Sequence, residues 1–207
     1  MTLHTYLLFV LASLVLALVP GPDMVYMLGR CIAQGRRAGI LAALGFNAGA
    51  YVHLSAAVLG LSAILATSSV AFTAVKWAGA AYLIYLGSGA LRSKGGPLVI
   101  SGVGGRADRT IFWQAFWSDV LNPKVAVFFL ALLPQFVDPR STQPTLQILL
   151  LGVTVNMICL PINIVLVAFS ARVTQTLRRN DALSKWLQRG LGALFVGLGL
   201  RLAVEKS

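Results

Sequence analysis

Two short stretches constrain this chain more than anything else in it. Leu18-Val19-Pro20-Gly21-Pro22-Asp23 and, about a hundred residues later, Asp119-Val120-Leu121-Asn122-Pro123-Lys124 each place helix-breaking and polar residues and a charge inside a long apolar segment. Proline lacks the backbone donor that the carbonyl four residues upstream would receive in a helix. In hydrocarbon, such broken backbone and such charges are tolerated only where they face protein or a polar cavity. The two breaks therefore predict the heart of a transport site.

The solvent follows from composition. Hydrophobic residues make up 57% of the 207 and charged residues 11%, where a soluble domain carries about 25% charge. The mean hydropathy is +0.81. Six spans of roughly 20–25 residues with short loops use nearly the whole length. The expectation is one all-α, polytopic membrane domain over residues 1–207, with spans one and four broken at proline. A net charge of +11 invites a nucleic-acid reading, but the basic residues sit in short loops between apolar spans, so no nucleic-acid partner is expected. Cys31 and Cys159 match no metal or redox spacing and read as small apolar residues. Leu3 to Val19 has the length of a signal-peptide core, yet no Lys or Arg precedes it and no small-residue cleavage pattern follows, so a first membrane helix is expected.

Span one is expected from about Thr5 to Leu28, followed by a basic loop of Arg30, Arg36 and Arg37. Span two, Ala38 to about Ala66, carries Gly45 and Gly49 in a G-x-x-x-G arrangement that admits a close neighbour. That neighbour would lie inside the monomer or in a second protomer; spacing leaves homo-oligomerisation open. Asn47, Tyr51, Ser55 and Ser62 share the opposite face and predict a polar stripe. A small-residue turn, 67–71, precedes span three, about 72–91. Residues 93–109 form a Gly- and Ser-rich linker between halves of about 1–92 and 110–204. Span four runs from about Thr110 to Val137 and span five from about Leu146 to Ala171. A basic turn around Asn180-Asp181 leads to span six, about Trp186 to Val204.

Twelve basic residues fall in the loops after spans one, three and five, against four on the opposite side. The twelve-residue side is expected in the cytoplasm, with both termini outside. Because each half holds three spans, the second enters the membrane from the opposite side, which implies two inverted three-helix repeats. Aligning Pro22 with Pro123 sets Asp23 against Lys124.

The chemistry concentrates at the breaks. A half-helix starting inside the membrane offers free N–H groups to an anion, while upstream carbonyls receive an ammonium. Two such breaks suit the two ends of a zwitterion. The candidate substrate-binding or coupling residues are Pro20, Gly21, Pro22, Asp23, Asn47, Asp119, Asn122, Pro123, Lys124, Asn156 and Asn163. Asp23 reads as a proton-coupling or amine-binding carboxylate, or else as a helix-start residue at the cytoplasmic interface. Lys124 binds a carboxylate or neutralises Asp23 or Asp119; Asp119 acts directly or supports the Asn122 turn. Asn47, Asn156 and Asn163 line a pathway or bond between helices. Gly152, Asn156, Cys159, Asn163 and Ser170 share one face of span five, where Pro161 would free a carbonyl. His53 reads as packing rather than proton relay, and Gln114 and Ser118 as pathway residues. No metal site, cofactor or catalytic motif is expected: His4 and His53 cannot make a metal cluster alone, and no nucleophile–base pattern occurs.

Pro20-Gly21-Pro22-Asp23, Gly35-Arg36-Arg37-Ala38-Gly39-Ile40 with Gly45 and Gly49, the run Ala78 to Gly87, and Asn122-Pro123-Lys124, in this order, resemble the LysE/RhtB family of amino-acid exporters. The resemblance covers essentially the whole chain. It implies a bacterial inner-membrane exporter of amino acids driven by the proton gradient, not an enzyme. With Asp23, Asp119 and Lys124 as the charges near the breaks, a small neutral zwitterion of the threonine, homoserine or leucine kind fits better than lysine or arginine. A membrane scaffold without a transport cycle is the reading from a different class.

Overall fold

A computed structural model describes residues 1–67, 77, 80–81, 84–85, 87–89, 91–92, 106–138, 141–179 and 181–204. The described residues form helices and no strands. In chain order the long elements are α1 (Leu3–Leu18), α2 (Pro22–Gln34), α3 (Arg36–Thr67), α4 (Asp108–Val120), α5 (Pro123–Val127), α6 (Pro144–Ala168), α7 (Ser170–Arg179) and α8 (Asp181–Val204). A π turn, Phe128–Leu132, and a 3-10 turn, Leu133–Phe136, continue α5. The helices α3 and α6 are each long and apolar enough to cross a membrane. So are α1 with α2, and α4 with α5 and its continuation, if each bent pair is one span; both pairs bend by 49°.

Both breaks fall near the middle of their pairs. Sixteen residues of helix precede the first and 13 follow it, about 24 and 20 Å at the usual rise per residue. Thirteen precede the second, and helical turns continue after it to Phe136.

Several boundaries differ from expectation. Gly35, at φ +85°, turns α2 into α3 within one residue, a conformation that glycine adopts without steric penalty. The expected basic loop therefore vanishes: Arg30 lies inside α2, and Arg36 and Arg37 begin α3. Asp108 and Arg109, expected in the linker, already belong to α4. The basic segment after span five is a separate helix, α7. The expected third span lies mostly outside the described residues, as do residues 68–71, most of the linker and Asn180. The six-span count is thus an expectation of which up to four spans are seen.

Among the described residues, the two larger apolar clusters lie on either side of the breaks. One gathers Phe9, Ala12 and Leu16 of α1 with Phe128, Phe129, Leu132 and Phe136 after the second break, and with Ile148 and Leu151 of α6. The other gathers Met27 and Cys31 of α2 with Ile111 and Ala115 of α4 and Ala42, Ala43 and Phe46 of α3. The first bent pair thus runs from the first core to the second, and the second pair runs back. The two broken segments cross the molecule in opposite directions, with their breaks meeting between the cores.

The neighbour that the glycine motif admits is α4. A Cβ on Gly49 would stand 2.8 Å from both Phe116 O and Asp119 Cβ, and one on Gly45 would stand 2.7 Å from Ala115 Cβ. This G-x-x-x-G serves packing inside the chain. His53, one turn further, continues the same face.

Candidate functional site

Backbone carbonyls left over by the prolines organise the site. Pro20 cannot donate to Leu16 O, and Val19 O precedes α2, whose first backbone acceptor is Gly21 O. Both carbonyls accept from the Lys124 ammonium, at 3.0 and 3.2 Å. Gly21 lies beneath this ammonium, a Cβ there standing 3.6 Å from Nζ. At the second break, Pro123 cannot donate to Asp119 O. That carbonyl lies 3.0 Å from His53 Nε2 and accepts from Asn122 N at 2.9 Å. His53 is buried and stacked on Phe129, as packing predicted, and its ring also serves this carbonyl.

Asn122 joins the two breaks. Its Oδ1 caps α5 by accepting from Lys124 N at 3.0 Å, and its Nδ2 donates to Asp23 Oδ2. Asp23 itself stands in the first turn of α2, where a carboxylate is favoured by the helix dipole. The exchange is reciprocal: the charge of the second break rests on carbonyls of the first, and the charge of the first rests on the amide of the second. Among the described residues, Lys124 has no carboxylate within 4 Å; ion pairs within that distance are Arg37–Asp108 and the Met1 amino group with Asp138.

A cavity of about 90 Å³ opens at this crossing, room for a handful of waters or one small polar ligand. Its polar lining is Asp23, Asn47, Asp119, Lys124, Asn156 and Asn163, with Gly21 and Cys159; Phe46, Phe129, Val125 and Val155 supply apolar wall. Every predicted site residue is therefore in the cavity wall or, for Pro20, Pro22, Asn122 and Pro123, in the breaks that shape it. Asp23 lines this cavity, with α1 before it and α2 continuing after it. Asn47 Nδ2 donates to Asn156 O at 3.3 Å, tying α3 to α6. Among the described residues, three buried side-chain atoms of the wall make no hydrogen bond: Asp23 Oδ1, Asp119 Oδ2 and Asn156 Nδ2.

Some expectations fail. Tyr51 and Ser55 face outward and do not extend a polar stripe from Asn47; the Ser55 hydroxyl is satisfied by its own helix, at Tyr51 O. Pro161 lies on an exposed face of α6, outside the cavity wall. Cys31 is more than apolar filling, since its thiol bonds Ser170 Oγ at 3.1 Å.

The sequence reading missed Arg30. Its side chain is 1% exposed and donates to Gln34 Oε1 at 3.1 Å and Gln114 Oε1 at 3.2 Å, with its guanidinium over the Tyr26 ring. Tyr26 OH donates to the same Gln114 oxygen at 3.1 Å. Gln34 Nε2 donates to Arg106 O and Arg37 pairs with Asp108, both at 2.7 Å. These contacts tie α2 and the start of α3 to α4 on the basic side of the cavity. The signal available was position: Arg30 stands eight residues after Pro22, within reach of a helix that continues beyond the break.

The sequence pattern of the LysE type translocator family matches residues 14–206, which hold both breaks and the whole cavity wall. The chain belongs to the LysE-type translocator family. Members of that family are transporters, not enzymes. The chain is 31% identical to the homoserine/homoserine lactone efflux protein of Salmonella typhimurium over 203 residues, 98% of each chain. It is also similar to uncharacterised membrane proteins of Vibrio cholerae, at 31% identity over the full length of both chains, and of Pseudomonas aeruginosa, at 32% over 94% of this chain and 93% of that one. No solved structure matches the chain. As a LysE-type translocator, it is a multi-pass membrane protein of efflux type.

Proposed function

We propose that this translocator exports a small neutral zwitterionic amino acid, or a derivative of the threonine, homoserine or leucine kind, from the cytoplasm in exchange for protons. The observation that carries this reading is the cavity at the crossing of the two breaks, which holds carboxylate, ammonium and amide groups in a small volume. A zwitterion needs an acceptor at one end and a donor at the other, and a small cavity limits what lies between. The name of the Salmonella relative agrees in class. The basic side faces the cytoplasm of the inner membrane and both termini face outward. The contacts of Arg30, Gln34 and Arg37 with Gln114, Arg106 and Asp108 part to admit substrate and re-form before release on the far side. The two broken segments, crossing in opposite directions, supply the inverted halves that rock about the cavity.

Two carboxylates in one wall give the export of lysine or arginine its support. Asp23, however, is already held by Asn122, which leaves one uncommitted carboxylate and favours a single ammonium. The test is efflux from proteoliposomes loaded in turn with homoserine, threonine, leucine and lysine, with and without a pH gradient. Gradient-dependent efflux of at least one neutral amino acid is expected. Efflux of lysine alone selects the basic-substrate reading; efflux of none of the four overturns the neutral amino-acid reading.

A further inference from the structure

The chain fills its own half-helix ends. The cation at the carbonyls of the first break is Lys124, and the anion at the start of α2 is Asp23. A ligand must therefore be read by what the chain leaves unfilled. Asp119 Oδ2 is an acceptor on α4 and Asn156 Nδ2 a donor on α6; both belong to the wall of the same cavity, and neither has a hydrogen-bond partner. Their residues are 4% and 2% exposed. Asp23 also keeps an open oxygen, but its carboxylate already has Asn122 and a helix N-terminus. Asp119 has neither. Gly49 lets Asp119 approach α3 this closely, since a Cβ there would stand 2.9 Å from Oδ2.

We propose that Asp119 is where the substrate's ammonium and a proton replace each other, while Asn156 Nδ2 holds the oxygen end of the same substrate. The proposal rests on the export reading above and names its coupling residue. A buried carboxylate whose oxygen no donor reaches is costly to ionise, so the cycle begins with Asp119 as the acid. When substrate arrives from the cytoplasm, the Asp119 O–H bond breaks, the proton leaves to cytoplasmic water, and the carboxylate accepts an N–H of the ammonium. On the outer side a proton returns to the carboxylate as the ammonium departs. One proton enters for each zwitterion exported, and no bond within the substrate changes. The titratable groups facing Asp119 are Asp23 from α2, His53 from α3, Lys124 from α5 and Cys159 from α6. His53 is engaged with the Asp119 carbonyl and Lys124 with Leu16 and Val19, and neither bonds the open oxygen.

The test uses the purified full chain in weakly buffered detergent. Homoserine, threonine, leucine and lysine are titrated in while heat and pH-indicator absorbance are followed together. About one proton is expected to leave per amino acid bound, with apparent affinity falling up to about tenfold per unit drop in pH. Asp119→Asn is expected to lose proton release and Asp119→Glu to restore it, with thermal unfolding as the check on folding. Binding and efflux without proton release, or release from Asp119→Asn at the wild-type ratio, overturn the exchange and leave the export reading intact. If none of the four binds or is exported, both fall. Should Asp119→Asn fail to fold, the proton count and pH dependence of the unaltered chain still decide.

Discussion

Replacing Gly49 with alanine adds a single methyl group at one of the two close approaches between α3 and α4. The new Cβ would stand 2.8 Å from Phe116 O, 2.8 Å from Asp119 Cβ and 2.9 Å from Asp119 Oδ2. Comfortable carbon contacts lie at about 3.5–4.0 Å, so α3 must withdraw from α4 by roughly 0.7–1 Å. His53 is one turn further on the same face, with Nε2 3.0 Å from Asp119 O; a withdrawal of that size takes the pair beyond hydrogen-bond range. Overpacking costs about 1–3 kcal/mol and the lost hydrogen bond about 1 kcal/mol. The expected total is about 2–4 kcal/mol, and efflux falls because Asp119 is displaced from the cavity. Gly60 is the control, since a Cβ there meets nothing within 4 Å. Gly60→Ala is expected to be neutral or to stabilise by up to about 1 kcal/mol. Thermal unfolding in detergent, with proteoliposome efflux on the same preparations, measures both. Gly49→Ala with wild-type stability and efflux, or Gly60→Ala equally damaged, refutes the close-approach argument.

Two further substitutions probe the orphaned carbonyls. Lys124→Met removes the donor from Leu16 O and Val19 O but also removes a partly buried charge. Those effects oppose, so stability is expected to change by less than about 2 kcal/mol while efflux is lost; full efflux in this variant contradicts the site. His53→Leu leaves Asp119 O with Asn122 N alone, and is expected to cost about 1–2 kcal/mol in thermal unfolding. An unchanged melting point would show that the ring contributes nothing to the second break.

The breaks, the all-helical membrane character and the family were legible in the sequence for one physical reason. Proline and charge in an apolar segment are expensive, so their presence marks where backbone is satisfied by something other than its own helix. Which groups satisfy it was not legible. The expected picture gave the carbonyls of the first break to a substrate ammonium; Lys124, 108 residues from Leu16, takes them instead. Spacing along the chain carries no information about that approach, which depends on the two pairs crossing in opposite directions. Arg30 was misplaced because basic residues near Gly35 look like a loop, whereas the turn into α3 needs only Gly35 itself. The stripe drawn through Tyr51 and Ser55 failed because both face outward, and the Ser55 hydroxyl is satisfied by its own helix at Tyr51 O. The Gly45–Gly49 pattern predicted a close neighbour correctly, but only packing showed that α4 fills it.

Cys159 offers a probe of the cavity without altering its charged groups. The chain has two cysteines, and Cys31 is buried against Ser170. With Cys31→Ser as background, a small thiol reagent reports on Cys159 in the cavity wall. If the crossing of the two breaks is where an amino acid is held, saturating amounts of an exported amino acid slow Cys159 labelling several-fold, and a non-exported one does not. Equal labelling rates with and without every amino acid that the protein exports would place the substrate elsewhere.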